Sequence, residues 1–169
     1  PDASLTGADG ALLTSLLDEQ LRPTLVVMNP PFSRSEARGT DQFAAIRHLR
    51  SAIAKAAAGA RIVAVMPDWF TTSAKLAKIY DETFANCTVQ TSCRLAKCYH
   101  KQGTSVTVRL YVIDKVPGNI RPSVIARDSV AELAREIVAV PRPTVQTATA
   151  KAPTRKPASR PSLFGALRK

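Results

Sequence analysis

The feature that most restricts the fold of this chain is a short apolar run, Leu25 to Met28, that ends at Asn29, Pro30, Pro31 and Phe32. Continuous apolar residues are typical of a strand that is buried on both faces of a parallel sheet. Two adjacent prolines provide no backbone N–H and fix φ, so neither strand pairing nor a helix continues through them. We therefore predict a buried strand that ends in a stiff loop dominated by hydrogen-bond acceptors.

Hydrophobic periodicity predicts that strands and helices alternate along most of the chain. The strands are expected over residues 24–28, 61–66, 87–95 and 105–114, and the helices over residues 11–21, 41–58 and 71–84. The spacing of strand, helix and strand in the first half predicts a parallel pair joined by a crossover. The last two strands are rich in β-forming residues and predict a long antiparallel hairpin. The predicted fold class is therefore α/β, with parallel strands followed by a terminal antiparallel hairpin.

The loop at the end of the first strand carries groups suited to a flat ring that bears an amino group. The side-chain oxygen of Asn29 and the carbonyl of Pro30 can each accept a hydrogen bond from one hydrogen of an exocyclic NH2. Such bonds draw the nitrogen lone pair out of ring conjugation and make the nitrogen a better nucleophile. Phe32 offers an apolar face on which a base can stack, an interaction of roughly 1–3 kcal/mol. The alternative is a turn that ends a strand and happens to contain two prolines.

The sequence of Asn29, Pro30, Pro31 and Phe32 resembles the catalytic motif of amino-methyltransferases, class I enzymes that use S-adenosylmethionine to methylate adenine N6 and related nitrogens. More widely, the chain resembles the methylase segment of bacterial helicase-methylase proteins related to strawberry notch. The stretches that carry this second resemblance are residues 6–9, 22–33, 46–51, 103–104 and 109–115. The resemblance implies that the four motif residues are catalytic and that Asp9 contacts the adenine of the cofactor, S-adenosylmethionine.

We expect these 169 residues to contain only part of such an enzyme. A class I methyltransferase needs a glycine-rich turn after its first strand and an acidic residue after its second. The seven glycines form no Gly-x-Gly arrangement. The resemblance is therefore to the carboxyl-terminal half of a Rossmann-like class I methyltransferase sheet. We expect the isolated chain to transfer no methyl group, and we expect the edge of the Leu25 strand to be exposed.

A second loop, Asp68, Trp69 and Phe70, follows the second predicted strand. Ligands of open parallel sheets bind beyond the carboxyl ends of the strands, so we expect this loop and the Asn29 loop to face one crevice. The three residues are predicted to bind substrate, with the two aromatic rings as walls of a base pocket. The alternative is that one ring packs in the core and the other caps a helix.

The net charge of +11 is concentrated at the carboxyl end, where seven basic residues and no acidic residue follow Pro141. The chain is predicted to consist of a partial methyltransferase domain over 1–117, a connector with a short helix over 118–140 and a disordered basic tail over 141–169. Two roles of the tail are open: sequence-independent contact with nucleic-acid phosphates, or a solubilising connector to a neighbouring domain.

Several classes of protein and site are not expected. No apolar run approaches the roughly 18 residues of a membrane span, and no secretory signal is present, so a cytoplasmic protein is predicted. The three cysteines are expected to be reduced thiols. The spacing of Cys93, Cys98 and His100 fits no standard zinc pattern, so no metal is expected.

These observations predict a segment of an S-adenosylmethionine-dependent methyltransferase that acts on an exocyclic amino group. Adenine N6 in DNA is the expected target, and a helicase domain in the same polypeptide is the expected partner. Bases in RNA and glutamine in proteins remain open as targets. A hypothesis from another class is a catalytically inactive methyltransferase-like module that binds nucleic acid or serves as a docking module within a helicase.

Overall fold

The computed structural model describes residues 9–32, 34–35, 39–100, 103, 105–136 and 141–145. The strands are β1 (Leu25–Met28), β2 (Arg34–Ser35), β3 (Gly39–Thr40), β4 (Arg61–Pro67), β5 (Thr88–Leu95), β6 (Val108–Asp114) and β7 (Val124–Arg127). The helices are α1 (Leu13–Leu16), α2 (Ala44–Lys55), α3 (Ala77–Phe84) and α4 (Val130–Glu136), and a 3-10 turn at Gly10–Leu12 precedes α1. None of the helices in these ranges is both long and apolar enough to cross a membrane.

Five strands form one mixed sheet in the order β1-β4-β6-β5-β7. β1 and β4 are parallel, with Val26 opposite Ile62. β6 is antiparallel to both of its neighbours, β4 and β5. The sheet therefore confirms both the predicted parallel pair and the predicted antiparallel hairpin. β2 and β3 pair separately in a small antiparallel ribbon.

The main hydrophobic core packs α2 and α3 against the sheet. The fully buried large residues of this core are Leu49 from α2, Ile62 and Met66 from β4, Phe70, Tyr80 and Phe84 near and within α3, and Tyr111 and Ile113 from β6. The rings of Tyr80 and Phe84 lie 4.7 Å apart in an edge-to-face contact. A second, smaller cluster joins the hairpin to α4 through Cys93, Leu95, Val108 and Leu133.

The first strand departs from the sequence-based expectation. β1 was predicted to be buried on both faces, but Leu25 is 50% exposed and Val27 is 75% exposed. β1 lies at the edge of the described sheet, and nothing in the described residues covers the face that bears these two side chains. The exposed edge itself was expected from the sequence.

The helices are shorter than the hydrophobic pattern predicted. The helix expected over 11–21 stops at Leu16, because Leu17 is extended and the Asp18 carboxylate accepts a hydrogen bond from the Gln20 N–H, a local turn that competes with the helix. The Asp41 carboxylate accepts from the Phe43 N–H just before α2 begins. Residues 71–76 form bends and turns, so α3 is confined to the second half of its predicted range.

Residues 118–136 and 141–145 are more closely tied to the domain than the sequence indicated. β7 pairs in parallel with β5, although only a connector with a short helix was predicted over 118–140. The predicted disordered tail begins at Pro141, yet Arg142 donates a 2.6 Å hydrogen bond to the Thr24 carbonyl and Val145 packs against the main core. The remainder of that tail, residues 146–169, lies outside the described residues.

A buried ion pair fastens β4 to β6. Asp114 is fully buried and accepts two hydrogen bonds from Arg61, at 2.7 and 2.8 Å, and a third from Gln90 at 3.0 Å. The Asp114 hydrogen bond is the first cause of the raised pKa of Arg61. Because Asp114 is opposite Arg61 in the strand register, this pair fixes the alignment of the two strands.

Replacing Asp114 by Asn is expected to lower the free energy of unfolding by about 1.5–3 kcal/mol, since the partly buried Arg61 guanidinium loses a charged hydrogen-bond acceptor. Asp81→Asn is the matched control, because the Asp81–Arg121 pair is about half exposed and such pairs contribute no more than about 1 kcal/mol. Urea unfolding followed by circular dichroism measures both values. Equal effects of the two substitutions would contradict the structural role of the buried pair.

Candidate active site

The Asn29 loop, defined as Asn29, Pro30, Pro31 and Phe32, leaves the carboxyl end of β1 with its polar residue outward. Asn29 and Pro31 are exposed and Pro30 is buried. Among the described residues, none forms a hydrogen bond with the Asn29 side chain. Phe32 is half-buried and packs against both hydrophobic clusters, which holds the end of the loop in place.

A cleft of about 380 Å³ lies beside this loop. Asn29, Pro30 and Pro31 line one side of it, and Gly10 and His48 line the other. We call it the Asn29 cleft. A volume of this size is within the usual range of small-molecule sites.

The turn that carries Asp9 is held against α2 at the rim of the Asn29 cleft. The Asp9 Oδ1 atom accepts a 2.9 Å hydrogen bond from the Ala11 N–H and lies 3.2 Å from His48 Nε2. A Cβ on Gly10 would lie 2.7 Å from His48 Nδ1, so this close approach requires glycine. The structure thus places the segment of Asp9 and the Asn29 loop around one cleft, while the roles implied for them by the sequence stay predictions.

The Trp69 loop, defined as Asp68, Trp69 and Phe70, divides its three residues among different environments. Trp69 is 41% exposed, whereas Phe70 is fully buried in the main core. The Asp68 carboxylate binds two arginines at 2.9 Å, Arg109 through Oδ1 and Arg94 through Oδ2. Among the three predicted substrate-binding residues, Trp69 therefore presents a ring at the surface. Phe70 packs in the core, which agrees with the alternative that one of the two rings is a core residue.

Strand β6 binds the two residues that flank Trp69 in the Trp69 loop. Arg109 binds the carboxylate of Asp68, and the hydroxyl of Tyr111 donates a 2.6 Å hydrogen bond to the Phe70 carbonyl. Burial raises the pKa of Tyr111 to about 12, so the hydroxyl remains a donor at neutral pH. The backbone of Trp69 is consequently fixed on both sides, while its indole is exposed.

A second cleft, of about 400 Å³, opens beside Trp69. The residues that line it are Gln42, Phe43, Trp69, Ser73, Lys75 and Leu76. We call it the Trp69 cleft. Its lining residues differ from those of the Asn29 cleft, and Trp69 is the residue of the Trp69 loop among them. The expectation that both loops face one crevice stays a prediction.

The cysteines in the described ranges are free thiols. Cys87 and Cys93 are buried, and Cys98 is partly exposed. Burial raises the pKa of Cys87 to about 11, which keeps it protonated and unreactive at neutral pH.

Several residues around the two clefts were not singled out in the sequence. In the sequence, His48 is one residue of the stretch 46–51 that carries the family resemblance. The positions of Gln42, Phe43 and Lys75 beside Trp69 depend on how α2 and the turns at 71–76 pack. Phe43 was expected only as an apolar residue of the helix, because periodicity does not separate a core ring from one that lines a cleft.

Comparison with known proteins identifies the fold. A Listeria monocytogenes protein assigned as a class I S-adenosylmethionine-dependent methyltransferase superposes with a TM-score of 0.51 at 14% identity, covering 73% of this chain and 44% of that protein. A modification subunit assigned to a type I restriction enzyme of Vibrio vulnificus gives 0.48 at 19% identity, covering 75% and 34%. The M protein of the type I restriction enzyme EcoKI gives 0.45 at 23% identity, covering 61% and 23%.

The five-stranded mixed sheet of this chain is thus a class I methyltransferase fold. The chain spans less than half the length of each of these three structures. The sequence matches no protein-family model and no curated protein.

Tyr111→Phe is expected to lower the free energy of unfolding by about 1–3 kcal/mol at pH 8, because the buried Phe70 carbonyl loses its donor. The variant also tests the shifted pKa. The unfolded chain releases the Tyr111 proton near pH 10 and the folded chain near pH 12, so wild-type stability falls as the pH rises through this window. Urea unfolding at pH 8 and pH 11 should show a smaller fall in the variant. An equal fall would mean that Tyr111 is not the group responsible.

Proposed function

We propose that this chain is the carboxyl-terminal half of an S-adenosylmethionine-dependent methyltransferase that acts on an exocyclic amino group, with adenine N6 in DNA as the substrate. The class I methyltransferase fold supports the reaction class. The finer assignment to an amino group rests on the identity of Asn29, Pro30, Pro31 and Phe32. A helicase domain in the same polypeptide belongs to the same proposal and rests on the sequence resemblance. A cytoplasmic location is also part of the proposal.

One observation carries the proposal: an Asn29 amide that has no partner among the described residues stands at the carboxyl end of a parallel strand, beside a cleft of about 380 Å³. The carboxyl end of a parallel strand is where open α/β sheets bind ligands. The amide is exposed, the adjoining Pro30 is buried, and the turn that follows Asp9 forms the opposite wall. The hydrogen-bond acceptors of the Asn29 loop therefore lie beside the cleft in which the substrate amino group and the methyl donor are proposed to meet.

The Asn29 cleft fits one portion of S-adenosylmethionine. Leu13 and Met28 give it apolar walls suited to a flat ring. Asp9 precedes the lining residue Gly10, and its carboxylate is proposed to accept a hydrogen bond from the amino group of adenine. The remaining contacts would come from groups outside these 169 residues, which have no Gly-x-Gly turn. When bound, this cofactor supplies an electrophilic methyl group.

The residues of the Asn29 loop activate and orient the nucleophile. The Asn29 side-chain oxygen and the Pro30 carbonyl would each accept a hydrogen bond from the amino group of the substrate, which would make the nitrogen lone pair more available to the methyl group that the cofactor supplies. Phe32, held by both hydrophobic clusters, offers a ring for the base to stack on. No cysteine nucleophile would be needed for this chemistry, since the nitrogen–carbon bond would form as the carbon–sulfur bond breaks and the extra proton on the nitrogen would pass to water.

Nucleic acid is the proposed substrate because the chain is strongly basic. The chain carries a net charge of +11, and a basic protein gains affinity for a phosphate backbone by releasing counterions. The charge alone does not separate DNA from RNA. Transfer of a radiolabelled methyl group from the cofactor to DNA, RNA and protein, catalysed by the full-length gene product, tests the substrate class directly.

A second candidate function is a catalytically inactive module that binds nucleic acid or docks within a helicase. The observation that favours it is the missing Gly-x-Gly turn. Binding of labelled S-adenosylmethionine to the full-length gene product separates the two candidates, since only an active enzyme requires the cofactor.

Asn29→Ala in the full-length gene product is expected to lower the methyl-transfer rate by about a hundredfold or more, by analogy with loss of one oriented polar group in other active sites. Asn86→Ala is the matched control, because Asn86 is exposed and lies after α3, away from both clefts. Radiolabel transfer at saturating cofactor measures both rates. An unchanged rate in Asn29→Ala would remove this side chain from the mechanism.

The isolated 169-residue chain is expected to transfer no methyl group, because it supplies only part of the cofactor site. The same radiolabel assay applies, with the full-length gene product as the positive control. Methylation of DNA by the isolated chain would show that these residues hold the cofactor unaided.

A further inference from the structure

We propose that the Trp69 cleft binds an unpaired nucleotide of a nucleic-acid strand, with its base against Trp69 and Phe43 and its phosphate on Lys75. The inference rests on the proposed function only for the claim that nucleic acid is the ligand. None of the residues that line the Trp69 cleft belongs to the Asn29 loop, so the ligand proposed for it is a nucleotide next to the reacting base.

The two aromatic rings form a corner suited to a flat base. The ring centres of Phe43 and Trp69 lie 6.1 Å apart, and the ring planes meet at 86°. A base stacked on the indole would present its edge to the face or edge of the other ring, an arrangement that aromatic groups favour. The volume of about 400 Å³ accommodates a base together with its sugar.

The indole of Trp69 is held rigidly although it is partly exposed. Its neighbours on either side are fixed by β6, Asp68 through Arg109 and Phe70 through Tyr111. The ring of Phe70 is fully buried and contacts Trp69 edge-on at 6.4 Å. A rigid aromatic platform loses little conformational entropy when a ligand stacks on it. Core packing alone would not require this indole to face solvent.

The charges around the Trp69 cleft suit a phosphate. Among the described residues, its lining includes Lys75 and no acidic residue. The carboxylate of Asp68 is balanced by Arg94 and Arg109, and that of Asp41 is balanced by Arg47, so neither nearby acid repels an anion strongly. Gln42 and Ser73 add hydrogen-bonding groups for the sugar or the edge of the base.

Intrinsic fluorescence tests the site directly, because Trp69 is the single tryptophan of the chain. The 169-residue chain is titrated with a single-stranded oligodeoxynucleotide, a duplex of the same sequence, adenosine monophosphate and inorganic phosphate. Stacking on Trp69 is expected to quench its emission with the single strand, much less with the duplex, and not with phosphate. Quenching by the free nucleotide at concentrations similar to those of the strand would overturn the assignment to a nucleic-acid strand.

Three substitutions separate stacking from charge, with folding checked by circular dichroism. Trp69→Ala is expected to weaken binding of the single strand, followed by fluorescence anisotropy of a labelled oligonucleotide, by roughly tenfold. Lys75→Gln is expected to reduce the slope of log affinity against log salt by about 0.7. Lys78→Gln makes the same charge change at a position of α3 that does not line the cleft, and it should leave the slope unchanged.

The outcomes distinguish this inference from the proposed function. Strand binding without a change in Trp69 emission, or equal effects of Lys75→Gln and Lys78→Gln, would overturn the nucleotide site even if the full-length gene product methylates DNA. If the full-length gene product transfers no methyl group while Trp69 and Lys75 respond as expected, the nucleotide site stands and the proposed enzymatic function fails.

Discussion

The parallel pairing of β1 with β4 is the constraint on which the candidate site depends. Because the two strands run in the same direction, the Asn29 loop and the Trp69 loop both leave the sheet at the end where β1 and β4 have their carboxyl termini. The two prolines stop β1 at that edge, and the buried Pro30 keeps the exposed Asn29 amide at the rim of its cleft. A register slip of one residue would turn each side chain of β1 to the opposite face and would displace the loop.

The antiparallel strand β6 pairs with β4 on the side opposite to β1 and contacts the Trp69 loop. Its first residues lie opposite the last residues of β4, which places Arg109 and Tyr111 within reach of the Trp69 loop. Its last residue, Asp114, forms the buried ion pair that aligns β6 with the start of β4. One strand thus sets both the sheet register and the position of the exposed indole, so substitutions in β6 would affect stability and ligand binding together.

Most strands were predictable from the sequence because their residues are continuously apolar or rich in β formers, and the Asn29 loop was predictable from its proline pair. β7 was missed because its four residues end in Arg127 and form an apolar run of only three. The packing of Pro141 to Val145 was missed because composition reports nothing of the Arg142 hydrogen bond. The exposure of Val27 and the contact between Gly10 and His48 also depend on three-dimensional packing. Sequence patterns therefore located the loops, whereas the residues that line each cleft required the structure.

The central claim is that the Asn29 loop presents an exocyclic amino group of a nucleobase for methylation. The most direct measurement is mass spectrometry of nucleosides from DNA incubated with the full-length gene product and S-adenosylmethionine carrying a deuterated methyl group. The expected result is N6-methyladenine that carries the deuterated methyl group. Label found only on a ring carbon or on a ring nitrogen would contradict the claim, because the acceptors of Asn29 and Pro30 are suited to an amino group.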